Sequence, residues 1–143
     1  MKIAFICVGN SARSQIAEAL ARHHAKRLGL EGINFYSAGS KPSGYVHPLA
    51  LEVLEEKGID TSNLRSKHLN EIPLRELDLV FVLCEEEECP YIPDAKVVSW
   101  ALPDPAKVEG DYQTRKGAFE ETFKRIEEKV LTLLGELKNK HSA

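Results

Sequence analysis

The sequence predicts an α/β fold: one domain over residues 1–143, built on a four-stranded parallel sheet in the order 2-1-3-4 with helices on both faces. Three observations carry this. Short apolar runs alternate with stretches of helical period, the pattern of strands joined by crossover helices. The first run, Ile3-Ala4-Phe5-Ile6, passes through a short loop straight into a helical stretch. The last stretch carries Phe119, Phe123, Ile126, Val130, Leu133 and Leu137 in alternating steps of four and three, one apolar stripe fit to pack on a sheet.

Strands are expected at Lys2–Cys7, Ile33–Ala38, Leu77–Cys84 and Lys96–Trp100. Helices are expected at Arg13–Leu28 and Pro48–Lys57, in a short piece near Asn70–Leu77, and over about Gln113–Lys138. Gly29 and Gly58 read as helix stops, and the region from Gly39 to Gly44 as a loop. The simplest right-handed winding reverses the chain between the first and third strands. Ligands of such sheets bind at the carboxyl ends of the strands, at that reversal.

Composition narrows the function. With 43% hydrophobic and 29% charged residues and a formal charge of −3, the chain carries no footprint for nucleic acid or an anionic membrane. No apolar run approaches the ~18 residues that span a bilayer. The N-terminus enters a strand without the charged-then-apolar pattern of a signal peptide, so a cytoplasmic location is expected. Three cysteines in that compartment point to chemistry rather than structural disulfides. There is no C-x2-C pair, and no metal site is expected.

The chemistry centres on Cys7-Val8-Gly9-Asn10-Ser11-Ala12-Arg13-Ser14. Five residues between Cys7 and Arg13 let the loop close into a ring whose backbone N–H groups face one centre, capped by a helix N-terminus. Such a nest binds a tetrahedral oxyanion, and Arg13 can grip two of its oxygens. The same positive field favours the thiolate of Cys7, which places a nucleophile beneath the captured anion. Gly9 and Asn10 tolerate the positive φ of a tight loop. Without its strand-loop-helix setting, the pair would read as a buried Cys and a salt-bridged surface Arg.

Two further segments reach the same sheet edge. Cys84 ends the third strand as Cys7 ends the first, so this winding brings two thiols together on adjacent strands ~5 Å apart. Cys84 opens Cys84-Glu85-Glu86-Glu87-Glu88-Cys89-Pro90, whose glutamates suit either a solvated charge run or a helix start. As a helix, residues 84 and 89 would hold their Cα atoms roughly 8.7 Å apart. A disulfide needs less than about 7 Å, so pairing Cys84 with Cys89 would require that segment to unwind. After the last strand, Asp104 stands between Pro103 and Pro105. It reads as a turn residue or, beside a thiolate–oxyanion site, as a general acid.

With these residues in place, the chain resembles the thioredoxin-coupled arsenate reductases built on the low-molecular-weight protein tyrosine phosphatase fold. The resemblance covers nearly the whole chain, through Cys7–Gln15, Ser37-Ala38-Gly39, His47-Pro48, Leu83-Cys84, Cys89-Pro90 and Asp104-Pro105. It implies that Cys7 attacks arsenate held by Val8–Arg13, with Ser14 hydrogen-bonding its sulfur and Asp104 protonating the departing hydroxide. Cys84 would then attack the Cys7–arsenic adduct and release arsenite. Cys89 would resolve the Cys7–Cys84 bond, leaving a Cys84–Cys89 disulfide for thioredoxin, the external reductant. No tightly bound cofactor is implied, and phosphate or sulfate would compete as oxyanions.

The phosphatases of the same fold are the alternative, hydrolysing phosphate monoesters through a phosphocysteine at Cys7. They commonly carry Tyr just after Asp-Pro, where this chain has Ala106, and they have no use for Cys89. The reductases usually space the second and third cysteines more widely than Cys84 and Cys89. Some also bind potassium through residues that would match Asn10, Glu18 and Ser37. A further acidic ligand would match Lys67, a cation, so Asn10 and Ser37 are expected to brace the loop instead.

Overall fold

The computed structural model describes residues 1–85, 92 and 95–142. Its strands are β1 (Lys2–Cys7), β2 (Asn34–Gly39), β3 (Leu79–Val82) and β4 (Lys96–Ser99). They form one sheet in the order β2-β1-β3-β4, every pair parallel. The α-helices are α1 (Arg13–Arg27), α2 (Pro48–Glu56) and α3 (Tyr112–Ser142). The expected sheet order and the three main helices are present.

Alternation along the strands sends Ile3, Phe5 and Phe81 to one face and Ala4, Ile6, Val80 and Val82 to the other. The first set joins the three helices in one buried cluster, where the stripe from Phe119 to Leu137 lies at 0–7% exposure. Full burial of such a side chain is worth about 1.5–3 kcal/mol, so the stripe alone fixes α3 on the sheet. Phe5 sits at the centre of an aromatic stack with Phe35, Phe81 and Trp100. The second set packs under Leu69, Ile72, Leu74 and Leu77, so the three α-helices share one face and two short 3-10 turns cover the other, where α-helices were expected on both.

Those turns correct one expectation. Instead of a helix near Asn70–Leu77, the chain makes separate 3-10 turns at Leu69–Glu71 and Leu74–Glu76. Pro73 is the reason: it has no N–H to give a helix, and it forces Ile72 into an extended conformation (φ −119°, ψ 159°). β3 is also shorter than expected. Its entry is fixed by Asp78, whose carboxylate accepts from Lys2 N at 2.8 Å.

Helix ends follow local chemistry. Gly29 and Gly58 take positive φ (71° and 73°) just past α1 and α2, as their placement predicted. Asp111 caps α3 by accepting from Thr114 N at 2.8 Å, and that bond holds its carboxyl below the ordinary carboxylate range. No helix among the described residues is long and apolar enough to cross a membrane.

Candidate active site

β1 stops at Cys7, α1 starts at Arg13, and Val8–Ala12 form the turn between them. Every carbonyl of that turn is taken from outside. Val8 O accepts from Lys41 N (2.9 Å), Gly9 O from Ser43 N (3.0 Å) and Ser11 O from His47 N (2.9 Å). Asn10 O accepts from Gln15 Nε2 (3.0 Å), and Ala12 O from Ile16 N (2.9 Å). In a trans peptide the carbonyl and the following N–H point opposite ways, so the N–H groups of Gly9–Arg13 are directed away from these outer partners. The start of α1 has no side-chain cap and no acidic residue in its first turn, so its positive dipole end is not neutralised by an acid of its own.

The loop's tight bend falls on one residue. Asn10 takes a φ of 46°, the positive value that Gly9 does not adopt. Asn10 is fully buried and fastened on all sides. Its Nδ2 donates to Ser14 Oγ (2.8 Å), and its Oδ1 accepts from Gln15 Nε2 (2.9 Å) and Lys67 N (2.9 Å). These bonds offset the cost of holding a non-glycine residue in the left-handed region.

Cys7 is 2% exposed and free, with its Sγ 2.8 Å from Ser14 Oγ. Ser14 Oγ accepts from Asn10 and keeps its own proton, so either atom of the Cys7–Ser14 pair can donate, and the hydroxyl can donate to a thiolate. A hydroxyl aimed at a thiol in this way suits a thiolate acceptor. Gly39 ends β2 directly opposite Cys7. A Cβ there would lie 2.3 Å from Val8 O and 2.9 Å from Cys7 O, so only glycine lets β2 run against the base of the loop.

Arg13 is 4% exposed. Its Nη1 donates to Leu102 O (2.9 Å) and reaches Leu83 O (3.4 Å), while Nη2 lies 3.8 Å from Asp104 Oδ2. Carbonyls following β3 and β4 therefore set the plane of the guanidinium. Asp104 divides its two oxygens: Oδ1 caps the 3-10 turn Pro105–Lys107 by accepting from Ala106 N (2.9 Å), and Oδ2 faces Arg13. The turn reading of this residue is observed, and its second oxygen is left facing the Arg13 guanidinium. His47, ahead of α2, accepts from Leu49 N at Nδ1 (3.1 Å) and packs on Phe119. Burial, helped by the positive Arg115, pushes its imidazole below the ordinary His value, with Asp104 opposing.

The ladder between β1 and β3 continues past Val82 through Leu83 N to Ile6 O (2.8 Å), which carries Cys84 to the carboxyl edge beside Cys7. Cys84 is 3% exposed and belongs to the same buried cluster as Cys7. It is disulfide-bonded, whereas Cys7 is free. Cys89 and the glutamates at 86–88 lie outside the described residues. Cys7, Val8–Ala12, Arg13, Ser14, Cys84 and Asp104 thus converge on one edge of the sheet.

Three contributors were not assigned a role from the sequence. Gln15 ties Asn10 to Arg65 O (2.9 Å). Gly39 gives β2 its close approach. Lys67, a half-buried cation, lies 3.8 Å from Glu18 Oε1, and Glu18 also accepts from Ser37 Oγ and pairs with Arg22 (2.8 Å). Burial lowers the Lys67 pKa, with Glu18 opposing.

Comparison with known proteins places this geometry. The model of the family described as low molecular weight phosphotyrosine protein phosphatase matches residues 2–143. An arsenate reductase of Bacillus licheniformis is 38% identical over 131 residues, which is 90% of this chain and 91% of that protein. The thioredoxin-dependent arsenate reductase of Corynebacterium glutamicum superimposes with a TM-score of 0.75 at 30% identity, over 97% of this chain and 62% of that one. The arginine phosphatase YwlE, in a mutant with a phosphorylated active-site serine, superimposes equally well: TM-score 0.75 and 30% identity over 96% of each chain.

Proposed function

The chain belongs to the low molecular weight phosphotyrosine protein phosphatase family, and we propose that within it this protein is an arsenate reductase working by a three-thiol relay. The observation that carries the reading is the second thiol. Cys84 is buried at the same sheet edge as Cys7 and is disulfide-bonded while Cys7 is free. Phosphatases of this fold can also carry a cysteine at the end of the third strand, so it is the disulfide at Cys84, which hydrolysis does not need and the relay does, that favours the reductase.

Arsenate enters the nest, where the N–H groups of Gly9–Arg13 and the Arg13 guanidinium hold its oxygens. The Cys7 thiolate attacks arsenic, the S–As bond forms, and an As–O bond breaks as Asp104 gives its proton to the departing hydroxide. Cys84, as thiolate, then attacks Cys7 Sγ. The S–As electron pair passes to arsenic, which leaves as arsenite, and a Cys7–Cys84 disulfide remains. Cys89 attacks Cys84, freeing Cys7 and leaving Cys84–Cys89 oxidised. An external dithiol, thioredoxin in this reading, takes up that disulfide and closes the cycle. The relatives named arsenate reductase support this reading, and YwlE, an arginine phosphatase, supports phosphatase chemistry at the same loop as its rival.

The deciding experiment incubates the fully reduced protein with arsenate and no reductant, then maps disulfides by mass spectrometry. One arsenite released per Cys84–Cys89 disulfide formed is the expected result. Three thiols left reduced, alongside hydrolysis of phosphate esters, would assign the protein to the phosphatases.

A further inference from the structure

We infer that Lys67 is a positioning residue for the nucleophile, its ammonium anchoring the segment that holds Asn10 and, through Asn10 and Ser14, the sulfur of Cys7. The inference rests on Cys7 being the attacking group. Lys67 Nζ donates to Ser37 O (3.0 Å) on β2 and to Arg65 O (2.8 Å), with the buried Glu18 carboxylate of α1 3.8 Å away. One side chain therefore ties three pieces of the molecule together: β2, α1 and the segment 65–67.

That segment is the outer support of the loop. Lys67 N donates to Asn10 Oδ1 (2.9 Å), and Gly39 N donates to Lys67 O (3.0 Å). Arg65 O receives both the ammonium and Gln15 Nε2, and Gln15 Nε2 in turn reaches Asn10 O and Oδ1. Asn10 then passes the constraint inward by donating to Ser14 Oγ, which faces Cys7 Sγ. The path runs from ammonium to thiol through hydrogen bonds of 2.8–3.0 Å throughout. The acid beneath it explains why the cation stays in place. Glu18 is 2% exposed, and a buried acid needs partners for its oxygens. Arg22 and Ser37 supply part of that need and Lys67 the rest.

The test reads the thiol itself, by the rate at which iodoacetamide alkylates Cys7 at neutral pH, followed by mass spectrometry. Lys67→Met should slow that rate about tenfold, within the ~10²-fold that a 1 Å misplacement costs. Lys67→Arg, which keeps a cationic donor for both carbonyls, should restore most of it. In a Ser14→Ala background, Lys67→Met should have little further effect, because the link it acts through is already cut. The same slowing in both backgrounds, or none in the wild-type background, overturns the inference. If Lys67→Met does not fold, Lys67→Gln enters the same cycle and is read the same way. A wild-type Cys7 no faster than a free thiol would instead sink the nucleophile assignment beneath it, so the two failures are distinguishable.

Discussion

Arg13 Nη2 stands 3.8 Å from Asp104 Oδ2, which sets the proposed anion clamp beside the proposed proton donor. Both are restrained from behind: Arg13 by the carbonyls of Leu102 and Leu83, Asp104 by the backbone N–H of Ala106. Neither side chain has to search for its position when a substrate arrives. Groups held in place in this way favour a transition state because they need no reorganisation as it forms.

Asp104→Asn tests the proton. Asn can still accept from Ala106 N, so the turn and the melting temperature should survive. The first chemical step should slow by ~10²–10⁴, the usual contribution of a positioned general acid, with oxyanion affinity unchanged. The loss should be largest for poor leaving groups and small for a stabilised aryl oxide. Equal losses on every substrate together with a lower melting temperature would leave Asp104 as a turn residue alone.

Cys89→Ser separates the relay from hydrolysis. The variant should complete one arsenate turnover and stop with a Cys7–Cys84 disulfide that mass spectrometry can map. Water can still resolve a phosphocysteine, so any phosphate-ester hydrolysis should persist. Cys7→Ser should abolish both activities. Unchanged multiple turnover of arsenate with thioredoxin in Cys89→Ser would refute the relay.

How much of this was legible in the sequence follows from distance along the chain. The nest could be read because its parts are contiguous, from Cys7 to Ser14, and sit between a strand and a helix. The sheet order followed from alternating apolar runs and the winding rule. Pro73 stood in plain view as the residue that splits the expected helix near Asn70–Leu77. Asp104 stayed divided between turn and acid because its second oxygen finds its partner only through Arg13, across the fold. The anchors of Arg13 are backbone carbonyls at Leu83 and Leu102, which leave no mark on residue type. Lys67 stood out in the sequence only as a cation where a potassium ligand would match, because only folding brings it to Ser37 and Glu18.

Two glycines should respond in opposite directions to alanine. Gly39→Ala sets a Cβ 2.3 Å from Val8 O, a backbone atom that cannot swing aside. Overpacking of this kind costs about 1–3 kcal/mol, and displacement of the loop by ~1 Å should cut turnover by about 10²-fold. Gly117, within α3, has open space where a Cβ would go. Gly117→Ala should raise stability by about 0.8–1 kcal/mol through helix propensity, with activity unchanged. Denaturant melts and initial rates on the two variants check both signs. An active, undisturbed Gly39→Ala would show that β2 need not press against the loop.

His47 should make stability depend on pH in a fixed direction. Burial first, and the nearby Arg115 second, hold its imidazole below the ordinary value of 6.5, so the folded protein binds this proton less readily than the unfolded chain. The stability that follows is present above 6.5 and is lost as pH falls from there toward the depressed folded value, because protons then favour the unfolded state. His23 is lowered by burial as well and contributes with the same sign, so the comparison must isolate His47. His47→Asn does so: Asn can accept from Leu49 N as an N-cap but does not titrate. The variant loses the packing of the ring on Phe119 and should melt lower at every pH. Its fall in melting temperature below pH 6.5 should nonetheless be shallower than that of the wild type, with the remainder carried by His23. Parallel melting curves for the two proteins across that window would mean that His47 titrates alike in the folded and unfolded states, contrary to its burial beside Arg115.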